Sequence, residues 1–319
     1  MAFAAVSTFS VVVPARTAPS LDAPFVSAQQ ASLESQADAT RLEPGPAIER
    51  PMVRGEEHRY QLPLTTGEYV IVLVEQHGID VVVQVRSPGD NAIADFQQEI
   101  LKGGEERVEV VGDRDGPYTL VVKPAQGTVA PGSYSIRIAD RRAATVADRA
   151  VQESRHVRVA AARLEEAGRF AEAGSMLGRA LQLVEGVRGP DDLYVTELVG
   201  DLAGNALEAR DNARAETLYQ RALAVLQQTL GAEHPHTAIV QSRLALLSER
   251  DGQRVKAEPQ LRQACAVIEK TLGPDHPWFL RCLITMANFR DDAGDLEQAE
   301  TIDRRAMAIV ERSGDTETI

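Results

Sequence analysis

Aromatic side chains are scarce in this chain. They make up 4% of the 319 residues, and tryptophan occurs once. Any sizeable core must therefore be filled by smaller side chains brought close together. Cysteine is rarer still: two residues cannot staple a disulfide scaffold, and they leave the redox compartment open. Positive charge is in deficit, with 34 lysines and arginines against 47 acidic residues and a net charge of −13. The acidic excess is shared between residues 46–140 and 145–319, so no basic lobe hides inside the average. That excludes a nucleic-acid binder, which needs clustered cations to displace counterions from phosphates. No apolar run approaches the roughly 18 residues needed to span a bilayer, so no integral membrane segment is expected. The signatures of catalysis are missing too: there is no GxSxG, no phosphate-cradling glycine loop, no HExxH and no CxxC. The chain reads as a non-enzyme without cofactor or metal, long enough for two domains.

Residues 1–28 are apolar and small, and residues 29–46 turn polar. Ala4 to Ala15 has the make-up of a signal-peptide core, and Val26-Ser27-Ala28 suits a cleavage site. No lysine or arginine precedes the apolar run, so a plain disordered leader or a displaced start codon is the other reading. Export to the periplasm or the exterior is preferred, with the cytoplasm as the alternative. Residues 1–46 are taken together as leader and disordered linker.

From about residue 47 to residue 140 the hydrophobic pattern has period two. His58-Arg59-Tyr60-Gln61-Leu62, Tyr118 to Val122 and Tyr134 to Ile138 alternate, as half-buried strands do. Tyr69 to Val74 is continuously apolar, which predicts a central strand covered on both faces. Turn residues separate the runs: Thr66-Gly67, Ser87-Pro88-Gly89-Asp90, Lys102-Gly103-Gly104, Asp115-Gly116-Pro117 and Ala130-Pro131-Gly132. Some seven short strands in this span predict an antiparallel β-sandwich. A Gly-x-Tyr unit recurs at Gly67-Glu68-Tyr69, Gly116-Pro117-Tyr118 and Gly132-Ser133-Tyr134. The glycine is expected to close a turn and the tyrosine to open a strand, ring in the core and hydroxyl near the rim. With this punctuation the region resembles the bacterial pre-peptidase C-terminal family, a resemblance that implies a non-catalytic sandwich of secreted or surface proteins. Asp90, Asp113 and Asp115 could hold Ca²⁺ but are read as solvated turns, and His58 and His77 as structural or exposed.

After residue 145 a period of 42 residues takes over. Ala173, Ala215, Ala257 and Ala299 form one set; Ala180, Ala222, Ala264 and Ala306 a second; Ala161, Ala203, Ala245 and Ala287 a third. Small residues at fixed phases let helices approach closely. Gly168, Gly252 and Gly294 mark the turn inside each helix pair, with Arg210 in the second copy. Connectors between pairs read LGAEHPHT at 230–237 and LGPDHPWF at 272–279, with a degraded copy RGPDDLYV at 188–195. In them Gly231 and Gly273 suit a helix C′ position, and Pro235 and Pro277 a helix start. These phases resemble the tetratricopeptide repeat, in the 42-residue form of kinesin light chains. The expected units are 155–188, 197–230, 239–272 and 281–314 within a helical region at 141–319. The fold class is thus multidomain: an antiparallel β-sandwich followed by an all-α tetratricopeptide solenoid.

The repeat positions of His234 and His276 explain them, and that of His236 is a connector, so no metal role is assigned. Cys265 and Cys282 fall on core phases and read as small hydrophobes. The last helix carries an apolar stripe at Ile302, Ala306, Ile309 and Val310. With only Ser313 to Ile319 after it, the end is expected either to continue in a longer protein or to dock on another chain.

A solenoid of this kind works as a surface, and its first helices line a groove for an extended peptide or a partner helix. Counting from the alanine phase, the groove side holds Arg155, Arg158 and Glu165, then Glu197, Asp201 and Glu208. Ser242, Arg243 and Glu249 follow in the third unit, and Arg281, Asn288 and Asp291 in the fourth. The leading expectation is a non-catalytic scaffold for a protein or peptide partner. The domain order also resembles the front half of bacterial proteins ending in a CHAT domain, a caspase-like peptidase. That resemblance implies a regulatory or substrate-presenting part whose catalytic half lies elsewhere. A third expectation is surface or carbohydrate binding by the sandwich, which would need an exposed aromatic platform.

Overall fold

A computed structural model describes residues 39–89, 91–97, 103–125 and 130–313. The leader through residue 38, Asp90 of the acidic-loop reading and residues 314–319 lie outside the described residues. The strand and helical regions form one compact unit from Ala39 onward.

Nine strands are described: β1 Thr40–Arg41, β2 Ile48–Met52, β3 His58–Leu64, β4 Glu68–His77, β5 Val81–Arg86, β6 Ala92–Phe96, β7 Glu105–Val111, β8 Gly116–Pro124 and β9 Gly132–Ala143. They form a five-stranded sheet, β1-β3-β8-β5-β6, and a four-stranded sheet, β2-β9-β4-β7. Every pairing is antiparallel except β1 on β3. The alternation along each strand sends one set of side chains between the sheets. Tyr60, Leu62, Val70, Val72, Val83, Tyr118, Leu120 and Ile136 meet there almost fully buried, and Leu42 joins them from just after β1.

Strand β4 is central and covered on both faces, as its unbroken apolar run predicts. Val70, Val72 and Val74 face the sandwich core, while Tyr69, Ile71 and Leu73 are buried on the outer face with Val111 and Ala144. The three Gly-x-Tyr tyrosines diverge. The Tyr118 hydroxyl fits the expected rim position, accepting from the Asp113 and Arg114 backbone N–H groups at 2.8 and 3.2 Å. That of Tyr134 is buried instead, 2.7 Å from the Tyr60 hydroxyl and 2.8 Å from His58 Nδ1. Tyr69 leaves the sandwich core altogether and lies beneath the Arg142 guanidinium, 4.0 Å from its ring centre. Register explains it: one residue along a strand reverses the face.

Among the described residues eight helices follow: α1 Val146–Glu166, α2 Phe170–Arg188, α3 Leu193–Glu208, α4 Asn212–Thr229, α5 Pro235–Arg250, α6 Arg254–Leu272, α7 Pro277–Asp292 and α8 Leu296–Ser313. Consecutive helices pair as hairpins, and each hairpin stacks on the next. All twelve phased alanines are buried, none more than 6% exposed, so they are the contact points that set helix separation. The intra-hairpin turn needs a left-handed residue, at Gly168, Gly252 and Gly294 and, in the second unit, at Arg210 with φ 63°. Arg210 is the one non-glycine residue with positive φ among the described residues. Cys265 and Cys282 lie side by side in the core; the neighbouring thiol and burial push the Cys265 thiol far up. The stripe on α8 is used within the protein, since Ala306, Ile309 and Val310 pack into the same core cluster. No helix among the described residues is long and apolar enough to cross a membrane.

Candidate functional site: a groove along the first helices

The odd helices α1, α3, α5 and α7 begin each repeat, and their starts are fixed locally. In α5 and α7, His234 and His276 are the N-caps: each Nδ1 accepts the backbone N–H two residues on, at 3.2 Å, ahead of a proline at the first helical position. Capping is the reason these histidines recur at 42-residue spacing. In the degraded connector Asp192 stands at the equivalent position and caps α3, accepting from Tyr194 and Val195.

So started, the odd helices line a cavity of about 720 Å³, backed by Tyr219, Ala222 and Leu226 of α4. Its α3 wall carries two glycines between Glu197, Asp201 and Glu208. Gly200 and Gly204 are one turn apart, and a methyl group added at Gly200 would meet nothing within 4 Å. On Gly204 it would come 3.6 Å from the Tyr219 hydroxyl. The strand region contributes Gln97 to the lining.

Seven of the twelve expected groove residues line this cavity: Arg158, Glu165, Glu197, Asp201, Glu208, Arg243 and Arg281. Three of them are tied to one another. Arg158 bridges two helices, its guanidinium 2.6 Å from both Glu197 and Asp201. Burial and the nearby Glu197 and Glu165 carboxylates hold the Asp201 carboxyl above its usual range, even against the pull of Arg158. Glu165 accepts from the Asn205 amide at 2.9 Å.

The remaining five lie elsewhere. Ser242 is about 100° around the helix from Arg243, and its hydroxyl donates to the Ile239 carbonyl at 2.7 Å. Glu249, six residues on from Arg243, turns away and meets Arg254 at 3.3 Å. Asn288 is exposed about two turns beyond Arg281, and Asp291 is exposed on a flank of the same helix. Arg155 is the instructive departure. It shares a repeat phase with Glu197 and Arg281, yet it is 6% exposed, because the strand region covers this end of the solenoid.

There Arg155 donates to the Glu109 carbonyl at 2.9 Å and to its carboxylate at 3.0 Å, and its guanidinium lies 4.7 Å from the ring centre of Phe96. Arg188 reaches the same carboxylate at 2.6 Å and Arg107 at 3.1 Å. Burial alone would raise the Glu109 carboxyl, but Arg155 and Arg188 outweigh it and hold it below the usual range. Burial, reinforced by Glu109, pushes the Tyr69 hydroxyl up to about 12. The junction between the two regions is thus a buried ionic cluster.

Gly200, Gly204 and Tyr219 stand outside the expected groove set but line the cavity. A glycine pair four residues apart inside a helix was the available signal, since each glycine costs helix stability and needs a reason. Trp278, at the end of the LGPDHPWF connector, also lies in the groove lining.

Stacked helical hairpins that share a lined groove define a repeat protein of the solenoid class. The chain belongs to the tetratricopeptide repeat family, whose model matches residues 152–226, 194–270 and 243–312, half of the chain. Among solved structures it is similar to BtubC (BKLC) from P. vanneervenii, at 20% identity and a TM-score of 0.44 over 53% of this chain and 67% of that one. It is also similar to a putative kinesin light chain of Podosopora anserina with nearly identical TPR-like repeats, at 22% identity and a TM-score of 0.41 over 52% and 77%. The pre-peptidase C-terminal domain of a collagenase from Bacillus anthracis matches 31% of this chain and 93% of its own, at 18% identity and a TM-score of 0.27. No curated protein matches the chain.

Proposed function

We propose that the protein is a non-catalytic scaffold that holds an extended segment of a protein partner in the groove of its odd helices. The observation that carries this reading is the open space over Gly200, where an added methyl group would meet nothing within 4 Å inside the lined cavity. Two glycines within one helix cost roughly 2 kcal/mol of helix propensity. Close approach by a partner gives that cost a purpose. Panning a phage-displayed library of random twelve-residue peptides against the intact chain tests it. Selected peptides should lose binding to a Gly200→Trp variant of unchanged melting temperature, because the indole fills the groove. Peptides that bind the variant as well as the native chain would remove the groove from consideration.

A further inference from the structure

The chain has two cysteines in 319 residues, and their thiols adjoin. Cys265 lies on α6 and Cys282 on α7, so the contact crosses the junction between the third and fourth hairpins. Both are buried in one core cluster, at 3% and 2% exposure. The repeat accounts for the meeting independently. One period earlier the same two phases hold Leu223 and Val240, which share a cluster between α4 and α5. Two periods earlier they hold Leu181 and Leu198, which share a cluster between α2 and α3. These phases are thus a standing contact of the solenoid, made by aliphatic side chains at two junctions and by thiols at one. A single buried cysteine would serve as a small hydrophobe. Packing does not explain why both partners of one contact, and no other residue of the chain, are cysteine.

We infer that Cys265 and Cys282 form a disulfide that fastens hairpin α7–α8 to hairpin α5–α6. Repeats touch only their neighbours, so a covalent link reinforces the one junction that holds the third and fourth units together. Because α5 and α7 both line the groove, the link also fixes their spacing. The co-reactant is a small disulfide such as oxidised glutathione. One cysteine thiolate attacks it, forms a mixed disulfide and releases one glutathione; the other thiolate then displaces the second. One S–S bond forms and one breaks, two electrons pass to glutathione, and the two cysteine protons end on the released thiols. In the closed fold the neighbouring thiol and burial keep Cys265 protonated and shielded. The exchange therefore takes place while the hairpins are apart, during folding or local opening. The same shielding then protects the bridge from reductant. The inference carries a compartment with it, since such bonds persist in oxidising surroundings.

The intact chain tests this without any substitution. Reduced protein is refolded in a mixture of oxidised and reduced glutathione, quenched with acid, unfolded, alkylated with N-ethylmaleimide and weighed. It should lack two hydrogens, take up no maleimide and yield a tryptic fragment in which Cys265 is joined to Cys282. The bridged protein should melt about 5 °C above the reduced protein, as closing a short loop does. That gap should vanish in the Cys265→Ala/Cys282→Ala variant; where the variant does not fold, the mass and the joined fragment of the native chain decide. Folded bridged protein should survive an excess of reduced glutathione that opens the bond in urea. Two maleimides per chain after oxidative refolding, glutathione left on each cysteine, or a bond between two chains would each overturn the inference. Equal melting temperatures of bridged and reduced protein would do the same, because the bond would then fasten nothing.

Discussion

The two regions of this chain solve the packing problem in opposite ways. The sandwich buries large residues between two sheets held about 10 Å apart, and Tyr60, Tyr118, Tyr134 and Leu120 interdigitate there. The helical region places alanine wherever two helices touch and keeps branched side chains for the spaces between. In the first case size fills a gap of fixed width. In the second, the absence of size lets backbones approach. The same substitution therefore has opposite meaning in the two halves, and the scarcity of aromatics belongs to the helical half: four of six tyrosines lie before residue 140.

The largest effect should come from breaking the cluster that joins the regions. Glu109→Gln leaves Arg155 buried without its counter-charge, which should cost about 4 kcal/mol. Calorimetry should show the single unfolding transition separating into two, one for strands and one for helices; a single transition at the native temperature would contradict the assigned role. The same contact can be loosened by acid. The Glu109 carboxyl lies lower in the folded protein than its ordinary 4.5, so its contribution is complete above that pH and fades as pH falls through the depressed folded value. The stability difference between native chain and Glu109→Gln should shrink between pH 7 and pH 3 in urea titrations.

Next in size come paired changes of volume. Leu120→Ala empties space in the sandwich and should cost about 3 kcal/mol. Ala203→Leu, the reverse change at a fully buried helix contact, should also destabilise, by about 2 kcal/mol, because the helices cannot part without disturbing their neighbours. A stabilising or neutral Ala203→Leu would show that the alanine phases do not set helix separation. The smallest effect is a gain. Arg210 holds a left-handed backbone that its sister turns give to glycine, so Arg210→Gly should stabilise by about 1 kcal/mol. Thermal melts read by helical circular dichroism would register it.

Most of the local architecture was legible in the residues. The alternation at residues 58–62 and 118–122, the apolar run of β4 and the alanine register each follow from a short-range rule of strand or helix geometry. The histidine caps were half legible: their 42-residue spacing was visible, and their bond to the next helix was not. The groove set was legible to the resolution of a helix face. Arg158, Asp201 and Arg243 fell where counting placed them, whereas Ser242, one residue from Arg243, turned out of the cavity.

What the sequence determined by itself was the repeat, because hydrogen bonding four residues apart and close contact at fixed phases are local and periodic conditions that each copy meets alone. What only the tertiary structure decided was which charge meets which. Arg155 and Glu197 share a phase, but the first is neutralised by Glu109, 46 residues away in the chain, and the second by Arg158, 39 residues away. Periodicity sets where a side chain points; the partner that meets it comes from another part of the fold.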